Sequence, residues 1–118
     1  MTQRAAPLAS PFPKAAALSA HELALVNGVF SRHPEVTSVT LFGSRAKGTH
    51  TPRSDVDLAI SGEVNALRAE AIAAELDELP LPYRFDVQPV QAITNRALRE
   101  HIERVGIVVY PETEHLAA

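Results

Sequence analysis

The sequence predicts a small α/β (α+β) domain, in which helices flank a short β-sheet. Three observations carry that expectation: strand-like runs at Val36–Phe42, 56–60 and 84–90, helical apolar stripes between and around them, and Pro or Gly at the joints. Strands alternating with helices bury one sheet face under the helical stripes, so the helices are expected to cover one face.

Ser19 and Glu22 have the spacing of a capping box, and Leu23, Val26, Val29 and Phe30 follow on one helical face until Pro34. Val36–Phe42 is rich in β-branched residues and stops at Gly43. Residues 43–54 form a polar loop. In 56–60, Val56, Leu58 and Ile60 point one way, so Asp55 and Asp57 point the other. A helix over 63–79 is expected to bury Val64, Leu67, Ala71, Ile72 and Leu76, and Pro80 and Pro82 stop it. In 84–90, Phe85 and Val87 alternate with Asp86 and Gln88. Thr94 can cap a last helix carrying Leu98, Ile102 and Val105, Gly106 ends it, and Ile107–Tyr110 adds a short strand.

A chain of 118 residues has room for one core. The expected organisation is an Ala/Pro-rich flexible arm over 1–18, a domain over 19–110 and a tail over 111–118. With 46% apolar residues but only 5% aromatic, that core is mainly aliphatic. The formal charge of -3 gives no footprint for duplex nucleic acid. Cys is absent, which excludes disulfides and thiolate metal sites, and the five His are scattered and expected to face solvent. No apolar run reaches the roughly 18 residues of a membrane span, and prolines at 7, 11 and 13 interrupt any helical leader, so a cytoplasmic location is expected.

The chemistry concentrates in Leu41-Phe42-Gly43-Ser44-Arg45-Ala46-Lys47-Gly48 and Asp55-Val56-Asp57-Leu58. Asp55 and Asp57 project from one face about 7 Å apart along the strand, and Asp86 holds the same phase in the third strand. Two carboxylates about 5 Å apart repel by roughly 3 kcal/mol at an effective dielectric near 20. Three on one face cost several kcal/mol out of a total stability of about 5–15 kcal/mol. A hard, oxygen-seeking cation such as magnesium relieves that repulsion and is completed by substrate phosphates. Gly43 lets the backbone approach a phosphate and Ser44 offers a hydroxyl, while Arg45, Lys47 or Arg53 can neutralise a polyphosphate tail. Strand, phosphate loop and clustered carboxylates together point to phosphoryl or nucleotidyl transfer.

Gly43-Ser44, ten intervening residues and Asp55-Val56-Asp57 resemble the signature of the nucleotidyltransferase superfamily that includes DNA polymerase beta. The short length is similar to its minimal nucleotidyltransferase (MNT) branch, the antitoxins of HEPN/MNT toxin–antitoxin pairs. The resemblance spans about 19–110. It implies a mixed sheet flanked by helices, with Asp55, Asp57 and Asp86 as catalytic and metal-binding residues for two Mg²⁺ ions. The third aspartate would also help deprotonate the attacking hydroxyl. Gly43 and Ser44, with Arg45 and Lys47, would bind the nucleotide, with ATP as substrate. Lys47 stands where many members carry Arg, so it would act as a point charge without a bidentate fork.

In that branch the nucleoside monophosphate goes onto a tyrosine of the HEPN ribonuclease, so the implied partner is a HEPN-family toxin. Two other functions fit the same chain. One is an antitoxin that neutralises its partner by contact without catalysis. The other is transfer to a small molecule, which usually needs a further helical domain to shape the acceptor pocket. Tyr83 and Tyr110 are candidate modification sites on their chemistry alone.

Overall fold

Ser19 starts the first helix as the sequence predicts. Its hydroxyl accepts from the Glu22 amide at 3.1 Å, and the Glu22 carboxylate accepts from the Ser19 amide at 2.9 Å. Helix α1 runs Ala20–Phe30 and buries Leu23, Val26, Val29 and Phe30. The computed structural model describes residues 18–111, so the expected arm up to 17 and tail from 112 lie outside the described residues. Leu18, placed by the sequence reading in the arm, is buried in the core. Ser19→Ala is expected to cost about 1 kcal/mol, read as a lowered urea midpoint at unchanged slope.

Strand β1 (Val36–Phe42) leads into a one-turn helix α2 (Ser44–Lys47), and strand β2 (Val56–Gly62) follows the polar loop. Helix α3 (Ala66–Asp77), strand β3 (Phe85–Pro89), a 3₁₀ turn at Val90–Ala92, helix α4 (Arg96–Val105) and strand β4 (Ile107–Tyr110) complete the chain. The sheet has the order β3-β2-β1-β4. β1 runs antiparallel to β2 and to β4, while β2 and β3 are parallel, so the sheet is mixed.

One face of the sheet carries the main core. Val39, Leu41, Val56, Leu58 and Ile60 pack there with Val26 and Phe30 from α1 and with Ile72 and Leu76 from α3. The opposite face is not bare. Phe42, Ala59 and Ile93 form a second small cluster, against which Leu98 and Ile102 of α4 pack. The expectation that helices cover one face is therefore corrected: α4 sits on the other, because Phe42 and Ala59 give its two apolar residues something to bury against.

Three local expectations also shift. Helix α3 starts later than residue 63, at the Asn65 cap whose side chain accepts from the Arg68 amide. Its buried residues are Ala69, Ile72 and Leu76, and Leu67, expected inside, is 75% exposed. Helix α4 is capped by Asn95 rather than Thr94, the Asn95 side chain accepting from the Leu98 amide at 2.9 Å. His33, expected in solvent, is buried, with Nε2 3.1 Å from the Glu75 carboxylate; this hydrogen bond is the main influence holding the Glu75 carboxyl below its usual range. Among the described residues no helix is long and apolar enough to cross a membrane.

Candidate active site

Alternation along β2 fixes where the carboxylates go. Val56, Leu58 and Ile60 fill the main core, so Asp57 projects from the opposite face, the one α4 partly covers. The parallel register sets Asp57 beside Asp86 on β3. Asp55, just before β2, and Asp86 are exposed, whereas Asp57 is half-buried.

The three feel one another. Burial first, then the charges of Asp86 and Asp55, push the Asp57 carboxyl up from 3.8 to about 6. Asp57 is the least solvated of the three, so burial and the neighbouring charges act on it together. Among the described residues no three or more His, Cys, Asp or Glu side chains converge on a ready-made metal position. The aspartates share a face and an electrostatic environment without forming a closed cage.

The Gly-Ser loop comes to the same place through β1. Phe42 is the cross-strand partner of Asp57, so the next residue, Gly43, lies directly against that carboxylate. Gly43 has φ +78° and ψ −157°, a conformation that a side chain strongly disfavours. A Cβ there would collide with Asp57 Oδ2. Gly43 is also the N-cap of α2 and contributes no side-chain cap to it. Ser44 is half-buried and Lys47 is exposed at the end of the turn. Gly48, with φ +83°, closes it, its amide donating to the Ser44 carbonyl at 2.9 Å.

Arg45 does not join this group. Its guanidinium is turned inward, 3% exposed, donating from Nε and Nη2 to the Ser54 carbonyl at 3.3 and 3.2 Å. Its Cζ lies 4.5 Å from the Tyr83 ring centroid. The side chain expected to neutralise a polyphosphate tail is thus buried against protein acceptors in this structure. A buried guanidinium must spend its donors on protein acceptors, and here they fasten the loop to the residue preceding Asp55. The Tyr83 hydroxyl donates to Glu22 at 2.8 Å, so this candidate modification site is already engaged. Arg45→Met should destabilise the fold by about 2 kcal/mol, seen as a lower thermal midpoint, because a carbonyl and a ring face lose their partner together.

One residue at the site was missed by the sequence reading. His101 of α4 is half-buried, and its Nε2 accepts from the Gly43 amide at 3.0 Å. Its ring meets Phe42 edge-on, with centroids 6.3 Å apart. The signal was its place in the helical period: His101 follows Leu98 by three, on the same inward stripe as Leu98 and Ile102.

A family model described as polymerase beta, nucleotidyltransferase matches residues 26–115. The chain is 33% identical over 94 residues to the probable protein adenylyltransferase MntA of Haemophilus influenzae strain Rd, covering 78% of this chain and 82% of that one. In structure it is similar to a crystal structure of a toxin–antitoxin with AMP-PNP, with TM-score 0.62, 18% identity and coverage of 84% and 80%. It is also similar to a structure of the tri-AMPylated Shewanella oneidensis HEPN toxin in complex with MNT antitoxin, with TM-score 0.59, 14% identity and coverage of 82% and 76%. At these identities the structural likeness speaks for the fold. The family match over most of the chain, together with the relative at one-third identity, shows that this chain belongs to the polymerase beta nucleotidyltransferase family.

Proposed function

We propose that this chain is a magnesium-dependent nucleotidyltransferase that moves AMP from ATP onto a hydroxyl of a partner protein, and that the partner is a HEPN-type toxin silenced by the modification. The observation that carries the reading is the position of Asp57, beside Asp86 in the parallel register and against Gly43 of the phosphate loop. Asp57, pushed up to about 6 by burial and then by the charges of Asp86 and Asp55, belongs to an oxygen donor set lacking positive charge, and a hard divalent cation is what such a set fits. The relative named as a probable adenylyltransferase supports the AMP donor, and the toxin complexes among the structural neighbours support the partner. Both belong to a setting where ATP and magnesium are plentiful, the cytoplasm.

In this reading Asp55, Asp57 and Asp86 would hold Mg²⁺, which when bound would offset charge on the triphosphate. Gly43 and Ser44 cradle the β- and γ-phosphates, the glycine by close backbone approach and the serine through its hydroxyl. Lys47, exposed at the end of α2, adds positive charge beside them. Asp86, exposed on β3, accepts the proton of the incoming hydroxyl. The new bond joins the acceptor oxygen to the α-phosphorus, and the bond from that phosphorus to the bridging oxygen of pyrophosphate breaks in line. Arg45 and Tyr83 stay out of the chemistry and keep the loop and β2 in register.

The test is label transfer in magnesium, with ATP labelled at the α- or the γ-phosphate and extract of the source organism as acceptor. The proposal expects only α-label on protein and none with Asp57→Asn. Absence of transfer with every nucleotide, while a partner still co-purifies, would replace it with an antitoxin acting by contact.

A further inference from the structure

The Gly43 amide donates to a side chain far along the sequence. Its partner is Nε2 of His101 at 3.0 Å, on the helix that crosses the carboxylate face. That helix is tied at several points. Asn95 caps its start, and Leu98 and Ile102 pack on Phe42 and Ala59. At its far end Gly106 sits so close to the Ile102 carbonyl and to Thr40 of β1 that a Cβ would not fit. His101 is therefore presented by a seated helix.

The Gly43 amide belongs to the peptide that joins Phe42 to the phosphate loop. Gly43 is at φ +78°, where glycine tolerates several orientations, so a bond to its N–H selects one. We infer that His101 is a positioning residue for nucleotide binding: by accepting from the Gly43 amide it fixes the peptide plane that aims the Gly43-Ser44 loop at the β- and γ-phosphates. The inference rests on the nucleotide-binding reading of that loop. It extends the working site from the sheet and loop to α4.

The assignment makes a definite statement about the imidazole. A nitrogen that accepts from an amide carries no proton, so the neutral ring must bear its hydrogen on Nδ1. A glutamine can offer its side-chain oxygen to the same amide, whereas a phenylalanine fills similar space with no acceptor. Loss of one such amide bond weakens binding by about five- to tenfold.

The experiment has two arms on the full chain. In the first, ¹⁵N NMR of the nucleotide-free protein reads the His101 ring at neutral pH, and an unprotonated Nε2 with protonated Nδ1 is expected. In the second, calorimetry measures binding of ATP in magnesium. His101→Phe should bind about five- to tenfold more weakly than the unaltered chain and His101→Gln within about threefold of it. The Gln rescue separates positioning from mere packing, since Phe keeps a ring against Phe42 but offers no acceptor, whereas Gln gives up the ring contact and keeps the acceptor. A protonated Nε2, or a Phe variant that binds as tightly as the unaltered chain, overturns the inference. If the unaltered chain binds no ATP, the proposed function fails by itself, and the tautomer then decides whether His101 holds the loop.

Discussion

Asp57→Asn is expected to abolish nucleotidyl transfer while making the metal-free fold more stable at neutral pH. The activity loss should be at least about 1000-fold, because several kcal/mol of charge stabilisation depend on the central carboxylate. The stability gain follows from the direction of its pKa. Burial, Asp86 and Asp55 raise the Asp57 carboxyl from 3.8 to about 6, so between those values the folded chain holds a proton that the unfolded chain releases. The unaltered chain is therefore favoured at low pH and loses that advantage as pH rises through the window. Asparagine has no charge to desolvate or repel. The two proteins should be equally stable below about pH 4 and diverge up to about pH 7, with the variant ahead thereafter. Two units would correspond to about 3 kcal/mol. Asp57 is only half-buried, and water and salt screen it, so about 1–2 kcal/mol is expected. Urea unfolding in EDTA across pH 4 to 8 measures it. Magnesium should then stabilise the unaltered chain more than the variant. An advantage that grew toward acid pH, or a variant that did not fold, would remove the electrostatic basis of the site.

How far this site was legible in the sequence depends on distance along the chain. The phase of Asp55 and Asp57 is read from three apolar neighbours within β2, and for Asp57, inside the strand, it holds. The phase of Asp86 was equally local, but its neighbour was not: that Asp57 faces Asp86 rests on the pairing of β2 with β3, which no short window encodes. Arg45 is the instructive case. A basic residue on a polar loop has the same local sequence whether it reaches outward to phosphate or inward to a carbonyl and a ring. The choice was made by Ser54 and by Tyr83, in the segment before β3. Leu67 failed for a smaller reason. With the helix starting at the Asn65 cap, the stripe through Ala69, Ile72 and Leu76 faces the sheet, and Leu67 turns away from it. His101 was hidden because a histidine on an apolar stripe reads as ordinary packing until an amide donor is found opposite it.

Gly43→Ala is expected to be the most damaging single methyl group that can be added at the site. Two costs fall together. The backbone at φ +78° and ψ −157° is one that alanine rarely adopts, at about 1–3 kcal/mol. The new Cβ would also overlap Asp57 Oδ2, so either the strand end or the carboxylate must move. If the chain keeps its conformation, Asp57 is driven from its place beside Asp86; if it relaxes, the Phe42–Gly43 peptide turns and His101 loses its donor. Either route removes nucleotide binding, so the variant should show no transfer and bind ATP at least about tenfold more weakly, with stability lowered by about 2–4 kcal/mol. Gly28, on the exposed side of α1, is the internal control, since a Cβ there meets nothing within 4 Å. Gly28→Ala should leave transfer unchanged and stabilise the helix by about 0.5–1 kcal/mol. Calorimetric binding and urea unfolding of the two alanine variants side by side check both statements. Equal behaviour of the pair would mean that Gly43 is an ordinary turn residue and that the loop does not meet the nucleotide.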